Sequence, residues 1–141
     1  MSKFKAIETE FRNPASLEKA LTELGIAFEK ANNVKSPDLA LFGYQGDKRP
    51  ERVSYRITRQ TLNKQWGTGQ SNDLGFMWNG KTFAAIVSEY DQGRKGVTEK
   101  MNQVKQRYAR AEILRQAKTK GYFVNEKTQA DGTIRLQMVR R

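Results

Sequence analysis

The sequence predicts an α+β domain: a largely antiparallel sheet, one short N-terminal helix, one long C-terminal helix and a closing β-hairpin. Three observations predict it. Asn79-Gly80 and Asp131-Gly132 each sit between apolar or alternating runs, the strongest short signal for a hairpin. Residues 13–25 and 93–121 carry apolar side chains at three- and four-residue spacing, the period of a helix face. No regular strand–helix–strand alternation occurs, so a parallel sheet is disfavoured.

Taken in order, KFKAIETEF (3–11) alternates, with Ile7, Thr9 and Phe11 on one side, and reads as a strand. NPASLEKALTELG follows with full helix punctuation. Asn13 suits the N-cap, Pro14 the first helical position and Gly25 the left-handed exit, while Leu17, Ala20, Leu21 and Leu24 form one stripe. IAFEK and LALFGY (39–44) read as strands joined by a polar connection containing Pro37. RVSYRITR (52–59) reads as one strand, with Val53, Tyr55 and Ile57 facing one way. Residues 60–73, poor in apolar residues and holding two glycines, are expected to be the longest polar loop.

DLGFMWNGKTFAAIVSEYD is a hairpin with Leu74, Phe76 and Trp78 on one side of its first strand. The long helix follows, with Val97, Met101, Val104, Tyr108, Ala111 and Leu114 on one face and Thr98 and Gly121 at its ends. The chain closes on a hairpin turning at Asp131-Gly132, with Ile134, Leu136 and Met138 directed to the core. Two helices on one face of such a sheet leave its other face open to solvent or a partner. At 141 residues, 1–141 is expected to be a single domain with a real core.

Composition narrows the chemistry. The chain has no cysteine and no histidine, which removes disulfides, thiolate nucleophiles and the commonest general base and metal ligand. The carboxylates are scattered without an acid/base spacing, so a non-enzymatic protein without a cofactor is expected. No apolar run is long enough to span a membrane and no secretory signal opens the chain, so a soluble, intracellular protein is expected.

Net charge is +11 and unevenly placed. Residues 1–93 hold 13 Lys/Arg against 11 Asp/Glu, whereas residues 94–141 hold 13 against 4. A polyanion, RNA or a ribonucleoprotein, is therefore the leading partner for the C-terminal third. The candidate binding residues are Arg94, Lys95, Lys100, Arg107, Arg110 and Lys118 on or before the long helix, then Arg135, Arg140 and Arg141 at the close. Trp66, in a polar segment, is the ring that would stack on a base. Two other readings use the same region. An assembly factor would dock the basic face on an acidic protein, for instance a photosynthetic complex. A small-anion or enzymatic module would centre on DQGRKG (91–96), before the long helix's N-terminus.

The opening MSKF…IETEF…SLEKALTELG, the middle DLGFMWNGKTFAAIVSEYD and the close QRYARAEILRQAKTKGYFVNE…DGTIRLQMVRR carry a likeness. Its most specific part is Tyr108-Ala109, Gly121-Tyr122 and Asp131-Gly132-Thr133-Ile134. In these the chain resembles a family of small conserved open reading frames of algal plastid genomes and cyanobacteria, catalogued as a domain of unknown function. Residues 31–72 lie outside the likeness. Family members tend to carry histidine where this chain has Lys3, and to end on tryptophan where it has Arg140-Arg141. The resemblance implies one domain and the cytoplasm of a cyanobacterium or its virus, or a plastid stroma. It implies no settled activity.

Overall fold

The structure is a computed structural model that describes residues 3–140, so Arg141 lies outside the described residues. Strand β1 (Phe4–Ile7) leads to helix α1 (Pro14–Glu23). Asn13 Oδ1 accepts from the backbone N–H of Ala15 at 2.8 Å and of Ser16 at 3.4 Å, covering donors that the first turn leaves unpaired. Pro14 takes the first helical position, and Leu17, Ala20 and Leu21 are buried, as their spacing requires.

Strands β2 (Glu29–Lys30), β3 (Leu39–Phe42), β4 (Lys48–Val53) and β5 (Tyr55–Ile57) follow. The single strand expected over 52–59 is thus two strands in two sheets. Val53 pairs with Leu39, whereas Tyr55 pairs with Phe76. Ser54 makes the crossing: its N–H donates to Phe76 O at 2.7 Å, and its Oγ accepts from Trp78 N at 3.1 Å. Val53 and Tyr55 therefore enter separate apolar clusters, although their spacing suggested one face.

The loop expected at 60–73 is helix over its first six residues, the greater part of α2 (Arg59–Gln65). Thr58 Oγ1 accepts from Thr61 N at 3.4 Å, and Leu62 and Trp66 are buried four residues apart on one side. Two apolar residues make a stripe too short to register as periodicity.

Strands β6 (Leu74–Trp78) and β7 (Phe83–Ser88) form the expected hairpin. Asn79 Oδ1 accepts from the N–H of Lys81 at 3.0 Å and Thr82 at 2.9 Å. The main sheet runs β1-β7-β6-β5-β2, and every neighbouring pair is antiparallel.

Helix α3 (Lys95–Lys120) has Arg94 at its N-cap position, ahead of the expected Thr98, and Gly121 at its C-cap, as expected. Gly96 explains the early start: a Cβ there would lie 2.0 Å from Trp66 O, so only glycine lets the first turn sit against that carbonyl. Val97, Val104 and Tyr108 join Phe11, Leu17, Leu21, Phe76 and Phe83 in the main core between helices and sheet.

The opposite sheet face is not left open as two helices alone would leave it. Leu41 and Val53 of the β3–β4 pair bury against Ile86 of β7, with Phe4 and Met77 at the margin. Gly75 permits this approach, since Val53 Cγ1 lies 2.5 Å from the place of a Cβ there. Among the described residues, no helix is long and apolar enough to cross a membrane.

Strands β8 (Tyr122–Thr128) and β9 (Ile134–Arg140) form a ribbon outside the main sheet. Ile134, Leu136 and Met138 share a strand face but belong to neither apolar cluster, contrary to the core role expected of them. Ile134 and Met138 are exposed and Leu136 is half-buried. Ile134 and Leu136 face Ala109 and Ile113 of α3 across an open groove of about 380 Å³.

Candidate nucleic-acid interface

The basic residues of the C-terminal third do not share one stripe. They divide into cations held by the fold and cations left to solvent. Arg107 and Arg110 both reach Glu23 of α1 at 3.2 Å, and Arg110 also pairs with Glu126 of β8. Arg110 is held above its ordinary pKa, chiefly by Glu126, and Glu126 is held below the ordinary carboxylate range, chiefly by Arg110. These two arginines tie α1, α3 and the ribbon together. Both are engaged by carboxylates of the same chain, although the Arg107 side chain is still 37% exposed.

Arg94 is similarly engaged. Its guanidinium donates to Gly69 O at 2.9 Å, lies 3.6 Å from Asp91 Oδ1 and sits over the Tyr90 ring at 4.9 Å. Asp91 is fully buried and accepts from Asn72 N and Ser88 Oγ, both at 2.9 Å. The 91–96 segment therefore clamps the end of β7 to residues 69–72. The small cleft of about 150 Å³ beside Gln92 and Gly93 is lined largely by apolar groups such as Ile7, Leu74, Val97 and Met101. Asp91 and Arg94 do not line it.

Lys95 is exposed and 4.0 Å from Glu99, and Lys100 is half-buried along α3. Trp66, the expected stacking ring, is only 3% exposed and belongs to the main core. Its ring faces are covered by packing and are not available to a base, which corrects that expectation.

Besides Lys95 and Lys105 on the earlier turns of α3, exposed cations stand at the end of α3 and on the ribbon. Lys118 and Lys120 stand exposed in the last turn, where positive charge suits the helix dipole. Arg140 is exposed at the end of β9, opposite Tyr122. The strand register then defines an outer face, because directly opposed residues of an antiparallel pair share a side. That face holds three cross-strand pairs: Lys127 with Arg135, Asn125 with Gln137, and Phe123 with Val139. Phe123 is 56% exposed. A hollow of about 720 Å³ opens on the ribbon, lined by Asn125, Glu126, Lys127, Arg135, Leu136 and Gln137.

The ribbon is positioned by its turn and by α3. Asp131 Oδ1 accepts from Thr133 N at 3.0 Å and Thr133 Oγ1 at 2.7 Å, which keeps the Asp131 carboxyl below its ordinary pKa. Gly132 turns the chain at φ 88°. Arg110–Glu126 anchors the opposite face of the ribbon to the helix. Lys127, Asn125, Gln137 and Phe123 were not singled out from sequence. The signal was present: counting back from the Asp131-Gly132 turn places Lys127 opposite Arg135.

Chemically, the outer face offers a flexible ammonium, a guanidinium with several fixed donors, two amides and an exposed ring. Charge-assisted bonds to phosphate suit the first two, and stacking suits the last. The fold and this surface define a single α+β domain with an appended basic ribbon. The chain belongs to the family described as "Protein of unknown function (DUF1257)", whose model matches residues 20–137. No curated protein and no solved structure matches it.

Proposed function

We propose that this protein is a non-enzymatic accessory factor that binds RNA, alone or in a ribonucleoprotein, through the outer face of its β8–β9 ribbon. One observation carries the reading. Lys127 and Arg135 are direct cross-strand partners on the same outer face. Among the described residues neither has a carboxylate within 4.0 Å. Like charges placed directly opposite each other destabilise a strand pair, and here no internal acid offsets them. Glu126, the neighbouring acid, points to the other side and is taken by Arg110. A phosphate backbone supplies the missing negative charge.

Asn125, Gln137 and Phe123 favour a nucleic acid over a merely acidic protein face, since they add amides and a ring in the same row as the cations. Seven residues per strand give a surface roughly 20 Å long, enough to follow several nucleotides. Contacts of this type are sequence-tolerant and salt-dependent. The proposal extends to the compartment, the cytoplasm of a cyanobacterium or its virus or a plastid stroma.

The test is fluorescence anisotropy with labelled single-stranded and structured RNA, beginning at about 50 mM salt. Binding should weaken steeply with salt. Reversing both charges, Lys127→Glu with Arg135→Glu, should reduce affinity at least tenfold and lower the slope of log K against log salt by about 1.4, from about 0.7 for each single-strand contact. No binding at low salt, or an unaffected double variant, would overturn the reading. A cellular partner that stays bound to the ribbon after nuclease treatment would favour the acidic-protein alternative instead.

A further inference from the structure

Among the described residues, the large apolar side chains that stay exposed are Tyr44, Tyr90, Phe123, Ile134, Met138 and Val139. Four of these six lie on the ribbon. A two-stranded ribbon is marginal in water unless it gains further strands or packs against another element. This one leans on α3 over an open groove and keeps one unpaired edge on each strand.

The free edge of β9 has a definite polarity. Gln129 N donates to Thr133 O at 2.7 Å, which sets the phase of the ladder. Counting by twos from that pair turns the N–H and C=O groups of Arg135, Gln137 and Val139 towards β8. Those of Ile134, Leu136, Met138 and Arg140 point outwards, away from the ribbon.

The β9 sequence, IRLQMVR, fits a second copy of itself in antiparallel register about Gln137. Leu136 then opposes the second copy's Met138, Ile134 opposes its Arg140, and Arg135 opposes its Val139. No two like charges face each other. The outward backbone groups at 134 and 136 meet those at 140 and 138, so every free donor finds an acceptor. The edge of β8 lacks this fit. Centred on Asn125 it would set no apolar pair like Leu136 with Met138, and it would bring in Glu126, which is already committed to Arg110.

We infer that two copies of the chain associate through β9–β9 pairing, giving a continuous four-stranded sheet in the order β8-β9-β9-β8. One face of that sheet joins Ile134, Leu136, Met138 and Val124 of both copies into a single apolar surface over the two α3 helices. The other face joins the two basic outer rows. The inference does not depend on what that outer face binds. Each β9 strand carries two arginines, so association strengthens as salt screens them. That is the opposite sign to RNA binding.

The experiment uses the full chain freed of nucleic acid. Sedimentation equilibrium at about 0.5 M salt should show a dimer whose dissociation constant rises as salt is lowered. Because the chain has no cysteine, single thiols report the register. Gln137→Cys places two thiols across the axis with Cα atoms about 4.5 Å apart, within disulfide reach, and should cross-link rapidly on mild oxidation. Thiols introduced by Arg135→Cys would lie roughly 14 Å apart and should not. Leu136→Pro removes an outward N–H without touching the β8 ladder and should give a monomer with unchanged circular dichroism. A wild-type monomer at every concentration and salt, equal cross-linking at 135 and 137, or a dimeric Leu136→Pro protein would overturn the inference. Should the proline variant not fold, the thiol pair decides alone. RNA binding is read at low salt on the outer face, so either idea can fail without the other.

Discussion

Tyr108 of α3 accepts a hydrogen bond at 2.9 Å from the backbone N–H of Asn13, the residue that caps α1. The same hydroxyl accepts from Arg12 N at 2.8 Å, and the ring packs on Phe11 at 4.8 Å between centroids. One side chain of the last helix thus satisfies the backbone where the first helix begins. Tyr108→Phe keeps the ring and removes the acceptor, leaving two partly buried N–H groups unpaired. The expected cost is about 1–3 kcal/mol of stability. Urea denaturation checks it: the midpoint should fall with the m-value unchanged, because the cooperative unit stays the same.

Gly96 and Trp66 make a second long-range contact that a single atom would break. Replacing glycine by alanine within a helix ordinarily helps by about 1 kcal/mol. At Gly96 the sign should reverse, since the new Cβ would lie 2.0 Å from the Trp66 carbonyl oxygen, a backbone atom that cannot swing aside. Overpacking of this kind costs about 1–3 kcal/mol. Gly96→Ala should therefore lower the thermal midpoint and shift Trp66 emission to the red. An unchanged emission maximum would mean that the contact relaxes without exposing the ring.

These contacts mark where sequence reading reaches its limit. Asn13, Pro14 and Gly25 act within one helix, and Asn79-Gly80 within one turn, so their roles are written locally and were legible. The exchange of sheets at Ser54 depends on which strand lies beside β4, and no local pattern encodes that. Arg107 and Arg110 looked like a free basic stripe because Glu23 lies more than 80 residues away, and Glu126 becomes a neighbour only once the hairpin folds back. Trp66 looked exposed because its polar neighbours hide a two-residue apolar stripe with Leu62. The site was half legible. Arg135 was named, but its partner Lys127 emerges only when the register is counted from the turn. The apolar face of β9 was identified correctly as a face, while its exposure reflects how little of the core reaches the ribbon.

Acid should loosen the same helix–helix contact. Arg115, then the Ser16 hydroxyl donating at 2.5 Å, hold the Glu112 carboxyl below its ordinary value of 4.5. A carboxylate depressed in the folded state adds stability that is fully present above the unfolded pKa and is lost as pH falls through the folded one. Asp73 has the opposite sign. Burial raises it above 3.8 against the pull of Arg59 N–H and Phe42 N–H, so its protonation favours the fold. Glu112→Gln should consequently flatten the fall in thermal midpoint below about pH 4.5, whereas Asp73→Asn should steepen it. Differential scanning fluorimetry between pH 6 and 3, at fixed ionic strength, separates the two variants.

Phe123 and Trp66 give opposite predictions for fluorescence. Trp66 is sealed in the core, and Trp78, the other native indole, packs at the rim against Phe83 at 4.8 Å. Adding RNA should leave the emission of both unchanged. Phe123→Trp places an indole on the outer ribbon face, in the same row as Lys127 and Arg135, with emission displaced to the red by water. If bases stack there, RNA should quench that added emission in a saturable titration, and the midpoint should move to higher RNA concentration with salt, in parallel with anisotropy. Stacking on an exposed ring is worth about 1–3 kcal/mol per base, so Phe123→Ala should weaken binding by roughly 5- to 150-fold without changing the salt slope. Quenching of native Trp66 instead, or a slope altered by Phe123→Ala, would assign the contact to a different surface.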